Sequence, residues 1–144
     1  MVASQLVNQI IRHEGLELKP YKCTSNKLTI GVGRNLEDVG ITEAEAKYLL
    51  MNDLARVDSQ VEHLMPWSAQ LNPARYDALL NFVFNVGIGT ALLFENAMAA
   101  LKESDFDTAA AELLDSRWST QVGKRAEELA EQIRTGEYQD GSNN

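Results

Sequence analysis

Glu14, Cys23 and Thr29 bring a carboxyl, a thiol and a hydroxyl into one short stretch, EGLELKPYKCTSNKLTIGVGR, from 14 to 34. A protonated carboxyl can hand its proton to a leaving oxygen, and a thiolate can attack carbon or take a proton from water. Hydrolysis of a glycosidic bond asks for such a pair. It needs an acid on one side of the sugar and, on the other, a group that activates water or attacks directly. Glu14 offers the proton donor. Cys23 offers the second group, where a carboxylate is the usual choice, and Thr29 can orient a water or the thiolate.

Two other chemistries fit less well. A cysteine hydrolase built on Cys23, His13 and Asn26 needs a base within hydrogen-bond reach of the thiol. His13 immediately precedes Glu14, so on a helix it points about 100° away from it. Two histidines and one cysteine, with no ligand spacing among them, support no metal site.

The elements that must position these groups can be read from periodicity. Residues 4–14 form a helix with Ser4 as N-cap, Leu6, Val7, Ile10 and Ile11 as its apolar stripe, and Gly15 after its end. Glu14 lies seven beyond Val7, four beyond Ile10 and three beyond Ile11, which places it on the stripe. A carboxyl held against apolar neighbours is costly to ionise and keeps a proton to donate. A frayed last turn would instead let Glu14 reach solvent, and periodicity allows both. In LTIGVGR, Leu28, Ile30 and Val32 alternate with Thr29, Gly31 and Gly33, as in a strand with one packed face and one bare face. Bare glycines in a strand mark close approach by another backbone or a ligand. LKPYKCT is the expected partner strand, with Pro20 placing it at an edge and Ser25-Asn26-Lys27 as the turn. That register sets Cys23 opposite Thr29, with Cα atoms about 4.5–5.5 Å apart.

Thr42-x-x-Glu45 is a capping box that opens a helix over 43–64, roughly 30 Å long and carrying Leu50, Leu54, Val57, Val61 and Leu64. Met65-Pro66-Trp67 ends it. Asn72-Pro73 starts a helix running to Gly87, apolar over much of its circumference and so expected at a buried centre. Shorter helices follow at 90–102, 105–115 (Asp105 as N-cap), 117–121 and 124–134 (Gly136 as stop), and the polar tail QDGSNN is expected to be loose. The expected architecture is α+β and mostly helical: a single domain with a small hairpin-bearing lobe over 12–55. A long helix joins it to an all-α lobe comprising 1–11 and 56–144, with the active site in the cleft between.

The 144 residues carry a net charge of −8, which disfavours a dedicated nucleic-acid binder. Residues 1–36 hold five Lys/Arg against two Glu, while the rest hold eight against nineteen. This asymmetry fits either a solvated acidic surface or a locally positive cleft for an anionic polymer. One cysteine excludes an internal disulfide. No run approaches the ~20 apolar residues of a membrane helix. The opening MVASQLVNQIIRHEG lacks a basic leader, a long apolar centre and a cleavage site, so neither membrane insertion nor a secretion signal is expected.

Glu14-x8-Cys23-x5-Thr29, set in HEGLELKPYKCT…LTIGVGR, closely resembles the phage-type lysozymes, the endolysin muramidases. ALLNFVFNVG resembles their central helix, and SRWSTQVGKRA…IRTGEY their closing helices, so nearly the whole chain is covered. The resemblance implies a lysozyme-like fold and cleavage of the β-1,4 bond between N-acetylmuramic acid and N-acetylglucosamine in peptidoglycan, by a monomer with no metal or cofactor. Carried over, Glu14 is the general acid, Cys23 takes the position usually held by Asp, as base or nucleophile, and Thr29 is the third member. Arg125 matches an arginine that pairs with the catalytic glutamate. Gly31, Asn35, Phe84 and Asn85 match substrate-lining positions. The resemblance also implies an enzyme held in the host cytoplasm until a holin-type lesion releases it to the cell wall. The segment between Arg34 and the long helix is short, and the acidic charge differs from the basic character of many cell-wall lysozymes. A peptidoglycan-binding module that has lost catalysis is the competing reading, opposed by the intact Glu14 and Thr29. A purely helical interaction protein would leave the bare face of Thr29, Gly31 and Gly33 unexplained.

Overall fold

The helix expected at the start of the chain is α1, Ser4–Glu14, in a computed structural model that describes residues 1–140. Of the polar tail 139–144, residues 141–144 lie outside the described residues. The N-cap is Ala3 rather than Ser4, with no side-chain cap bond, while the Gly15 N–H closes the far end on the Ile11 carbonyl at 2.8 Å. Contacts divide the chain into two units, Met1–Leu49 and the remainder from Leu50, so α1 belongs to the first.

In the first unit, β1 (Glu17–Lys22), β2 (Leu28–Gly31) and β3 (Arg34–Asn35) form an antiparallel sheet in that order. Pro20 sits on β1, an edge strand, where a missing N–H is tolerated. The register differs from expectation by two residues: Thr29 pairs with Tyr21 and Leu28 with Lys22, so the ladder runs on to Cys23 N–H bonded to the Lys27 carbonyl at 3.0 Å. The turn is therefore Thr24-Ser25-Asn26. The Asn26 N–H returns to the Cys23 carbonyl at 2.8 Å, and Asn26 takes the left-handed conformation at φ 61°. Asparagine tolerates that conformation, so the three-residue loop needs no glycine, and Lys27 returns to the strand. Because the slip is even, Cys23 stays on the same strand face as the residue opposite Thr29.

LTIGVGR also departs from a single strand. Gly31 and Gly33 both have φ +71°, and the chain reverses at Val32 so that Ile30 pairs with Arg34 and Thr29 with Asn35. A residue with a Cβ is strained at such angles, which is why two glycines bracket the bend.

Helix α2, Glu43–Leu64, starts on the expected capping box: Thr42 N–H donates to Glu45 Oε1 at 2.8 Å and Glu45 N–H to Thr42 Oγ1 at 3.0 Å. Arg34 adds a two-pronged bond to the Glu45 carboxylate, 2.8 Å on each side, and a third to the Gly40 carbonyl at 3.1 Å. These bonds hold the Glu45 carboxyl down at about 2, the Arg34 bond contributing most and the Thr42 N–H next. The end of the sheet is thereby tied to the start of α2.

In the second unit a short 3₁₀ helix, Pro66–Gln70, precedes α3, Pro73–Val86, which begins with Asn72 as N-cap and ends at Gly87 as the sequence suggests. Then come α4 (Ile88–Leu93), α5 (Glu95–Lys102), α6 (Phe106–Leu114), α7 (Arg117–Val122) and α8 (Lys124–Thr135). The single helix expected over 90–102 is broken at Phe94, whose backbone leaves helical angles while its ring meets Phe82 edge-on at 5.0 Å. Trp118 meets Phe82 from another side at 4.9 Å, so Phe82 is the hub of the core. Leu79, Val83, Leu101, Leu113, Leu129 and Ile133 surround it, fully buried. Each such side chain contributes about 1.5–3 kcal/mol relative to exposure.

The carbonyls at the end of α8 are satisfied from α3. Arg75 Nε donates to the Ile133 carbonyl at 2.6 Å and Nη2 to Arg134 at 3.0 Å, while Asn72 Nδ2 reaches the Gly136 carbonyl at 2.9 Å. The same guanidinium lies 3.6 Å over the Phe106 ring. Among the described residues no helix is long and apolar enough to cross a membrane.

Candidate active site

Glu14 is the last residue of α1, and Gly15, at φ 81°, turns the chain away into β1. Its carboxylate reaches Gly33 at the bend between β2 and β3. A Cβ built on Gly33 would stand 2.9 Å from Glu14 Oε2 and 3.2 Å from Cδ. The close approach inferred from the bare glycines is therefore made by the candidate acid itself at Gly33, while Gly31 has open space. Glu14 is exposed, as are Leu6, Val7 and Ile10 of the stripe it follows. The enclosure by apolar neighbours that its position on α1 suggests is absent, because no residue of α1 is buried.

Cys23 is half-buried at the mouth of the β1–β2 hairpin. Its thiol is held below the ordinary value, first by the backbone N–H of Lys27, then by that of Ser25, with a smaller part from the Thr29 hydroxyl; partial burial opposes them. Backbone donors favour the charged form of a group they point at. Lys22, the cation adjacent in sequence, is turned to Glu37 at 3.0 Å and does not contribute. Glu37 in turn accepts from the Leu28 N–H at 2.8 Å, and that bond, ahead of Lys22, keeps its own carboxyl below the usual range.

Thr29, in the middle of β2, is only 3% exposed. Its Oγ1 donates to the Lys27 carbonyl at 2.9 Å. A hydroxyl has one proton, so while that bond stands Oγ1 can only accept from Cys23. To stabilise a thiolate the hydroxyl must turn its proton from Lys27 to sulfur. Thr29 and Cys23 thus form a pair in which the proton on one decides the orientation of the other.

The remaining sequence candidates have partners of their own. Asn35 holds the turn after β3: its Oδ1 accepts from the Asp38 N–H at 3.0 Å and its Nδ2 donates to Asp38 Oδ2 at 2.9 Å. In the second unit Phe84 stays 41% exposed on α3, although its neighbours Phe82 and Val83 are buried. It lines a cavity of about 450 Å³ with Leu50, Leu54, Asp77, Leu80, Asn81 and Arg125. Arg125, on α8, is fixed by Asn81, with Nη2 2.7 Å and Nε 3.1 Å from Oδ1. Asn85 Oδ1 accepts from the buried Trp118 Nε1 at 2.6 Å, which leaves its amide donors free of protein partners among the described residues. Asn81 was not singled out from sequence, and neither were the Ser25 and Lys27 amides. Asn81 lies one helical turn before Asn85, a spacing that could have flagged it. Nothing in the sequence marks a backbone N–H as a partner for sulfur. Among the described residues no group of three or more His, Cys, Asp or Glu is arranged to hold a metal.

Comparison with known proteins meets this geometry from another side. The phage lysozyme family model matches residues 11–135, which include Glu14, Cys23, Thr29 and all of α2 to α8. An endolysin of Acyrthosiphon pisum secondary endosymbiont phage 1 is 34% identical over 114 residues, 76% of this chain and 74% of its own. The endolysin of Bacillus phage B103 is also 34% identical, over 82% of this chain but only 45% of its own length. A probable T4-type lysozyme of Dictyostelium discoideum aligns over 94% of this chain and 96% of its own at 26% identity. With the family model spanning most of the chain and a one-third-identical endolysin matched over three-quarters of its length, this protein belongs to the phage lysozyme family and is an enzyme of the lysozyme type.

Proposed function

We propose that this chain is an endolysin that hydrolyses the β-1,4 bond between N-acetylmuramic acid and N-acetylglucosamine in bacterial peptidoglycan. The observation that carries the reading is the placement, in one small unit, of an exposed carboxylate at Gly33 and a thiol with a lowered proton affinity beside Thr29. In this reading Glu14 protonates the glycosidic oxygen as the bond to it breaks. Cys23, as thiolate, either takes a proton from the attacking water or attacks the anomeric carbon itself. Thr29 follows the charge on Cys23, donating to sulfur when the thiol is ionised and to the Lys27 carbonyl when it is not.

Gly31 and Asn35 of the first unit are proposed as substrate-binding residues, and so, separately, are Phe84, Asn85 and Arg125 of the second. Gly31 leaves open space for a sugar to approach the backbone. Phe84 offers an exposed ring face, and the free amide donors of Asn85 suit hydroxyl and N-acetyl oxygens. The enzyme acts as a monomer in the wall compartment, reached from the host cytoplasm through a holin-type membrane lesion.

The test is loss of turbidity of outer-membrane-permeabilised bacteria. The wild type should clear them, and Glu14→Gln should not. Wild-type protein without clearing activity would sink the enzyme assignment, and Glu14→Gln clearing at the wild-type rate would remove Glu14 as the acid. The anomer of the first product separates the two roles for Cys23, inversion for a base and retention for a nucleophile.

A further inference from the structure

A cavity of about 400 Å³ opens where the end of α2, the 3₁₀ helix and the start of α3 meet, wholly within the second unit. Three carboxylates line it. Asp58 and Glu62 stand four apart on α2 and so share a face, and Asp77 comes from α3. Among the described residues none of the three is paired with a Lys or Arg, and no Lys or Arg lines the cavity. Like charges at that spacing repel, and only hydroxyls answer them: Tyr76 OH donates to Asp58 Oδ1, and Tyr138 OH to Asp77 Oδ2 at 2.6 Å. Glu62 accepts no hydrogen bond among the described residues.

The most buried residue of the lining adds an observation independent of charge. Ser68 is 1% exposed, yet its hydroxyl has no hydrogen-bond partner among the described residues. Its backbone is fully used: the N–H donates to the Met65 carbonyl at 2.9 Å, and the carbonyl accepts from the Leu71 N–H at 3.0 Å. No described side-chain oxygen or nitrogen is sealed from solvent without a partner. The trace of surface that Ser68 keeps therefore belongs to Oγ, which opens on the cavity it lines. Pro66, Leu71 and Pro73 complete the wall with apolar surface.

We propose that this cavity, with unpaired carboxylates and the open Ser68 hydroxyl, is a binding site for a primary alkylammonium group. A bare metal ion fits poorly, since among the described residues no group of three or more His, Cys, Asp or Glu is arranged to hold one. An ammonium asks for less convergence. Its three N–H donors can go to separate acceptors, here Glu62, the second oxygen of Asp58 and Ser68 Oγ, while its methylene stem lies on the prolines and Leu71. Such a mix of apolar wall and a few polar groups is what fixes a small ligand in a cavity of this size. The chemistry has two sources: the side-chain amine of a diamino acid in peptide attached to the wall glycan, and a free diamine. The site itself stands apart from the muramidase reading, and only the first source rests on it.

The experiment titrates the full chain with butylammonium chloride and follows the backbone amides by NMR, with butanol and with sodium chloride at equal ionic strength as controls. Saturable shifts clustered at Asp58, Glu62, Ser68, Tyr76 and Asp77, and absent with both controls, are expected. Glu62→Gln and Ser68→Ala should each weaken binding about tenfold, as the loss of one hydrogen bond to a charged group does. Shifts that do not saturate, shifts matched by either control, or wild-type affinity in both variants overturn the proposal. If Ser68→Ala fails to fold, Glu62→Gln, at an exposed position, decides. A wall fragment that displaces butylammonium through its free side-chain amine, and no longer does so once acetylated, assigns the site to wall peptide. A fragment that displaces nothing where 1,5-diaminopentane does assigns it to free diamines. A chain that seats butylammonium but clears no cells keeps the site and loses the muramidase reading. One that clears cells without these shifts loses the site alone.

Discussion

The Glu14 carboxylate lies against the backbone of Gly33, close enough that a Cβ at that position would meet Oε2 at 2.9 Å. The acid at the end of α1 is thereby located by a residue with no side chain, nineteen positions further along the chain.

Gly33→Ala tests that relationship. The new methyl cannot coexist with the carboxylate as placed, and φ +71° adds backbone strain of about 1–2 kcal/mol. The far end of Glu14 can move aside, so the fold survives with a thermal midpoint lowered by a few degrees. Displacing an acid by about 1 Å costs on the order of a hundredfold in rate. Activity should therefore fall far more than stability, which paired melting curves and kcat measurements would check.

With Cys23 as the proposed second catalytic group, its lowered proton affinity should set a limb of the pH profile. Because the folded-state value lies below that of a free thiol, thiolate is favoured at and above that midpoint and is lost as pH falls through it. Activity that depends on thiolate should drop on the acid side of that midpoint, which lies below ordinary cysteine. Cys23→Asp replaces the group with one ionised above pH ~4 and should carry the limb to lower pH. A limb unmoved by Cys23→Asp would assign it to another group.

Thr29 is predicted to matter through its proton rather than its shape. Thr29→Val keeps the volume but removes the bond to the Lys27 carbonyl and the donor for sulfur, at a cost of about 1 kcal/mol in stability. It should also raise the Cys23 alkylation midpoint, whereas Thr29→Ser should restore both. A Val variant that loses activity with the thiol midpoint unchanged would point to water orientation as the hydroxyl's main task.

Asn85 has a structural duty that is separable from any contact with glycan. Its Oδ1 is the acceptor for the indole N–H of Trp118, a residue 5% exposed beside the Phe82 hub. Asn85→Leu strands that donor and should cost about 1–3 kcal/mol. Asn85→Asp keeps the acceptor and should cost less. Thermal unfolding monitored by tryptophan emission distinguishes them.

What could be read from sequence and what could not divide along a physical line. Caps and stops are local: Thr42 with Glu45, Asn72 before Pro73, Asp105 and Gly136 all stand where their side chains or conformations demand. The hairpin register differs by two residues because the left-handed Asn26 closes the three-residue turn at its last position, so that Lys27 already belongs to the strand. The break at Phe94 escaped because it answers a ring on α3, twelve residues away. For the candidate site, the residue types at 14, 23 and 29 are what suggest the proposed chemistry. The setting of each came from backbone geometry instead: an N–H, a carbonyl, and a glycine Cα, which one letter per residue does not encode.

Within residues 1–49 the one buried residue is Thr29, while the apolar core begins at Val57. Most of the free energy that resists opening comes from buried apolar surface, so the β1–β3 sheet draws on little of it. What secures it instead is short-range: a clasp from Arg34 to Glu45 and the bonds of two tight bends. The segment holding Glu14, Cys23 and Thr29 is consequently the part of the chain with the least buried apolar surface to resist local opening.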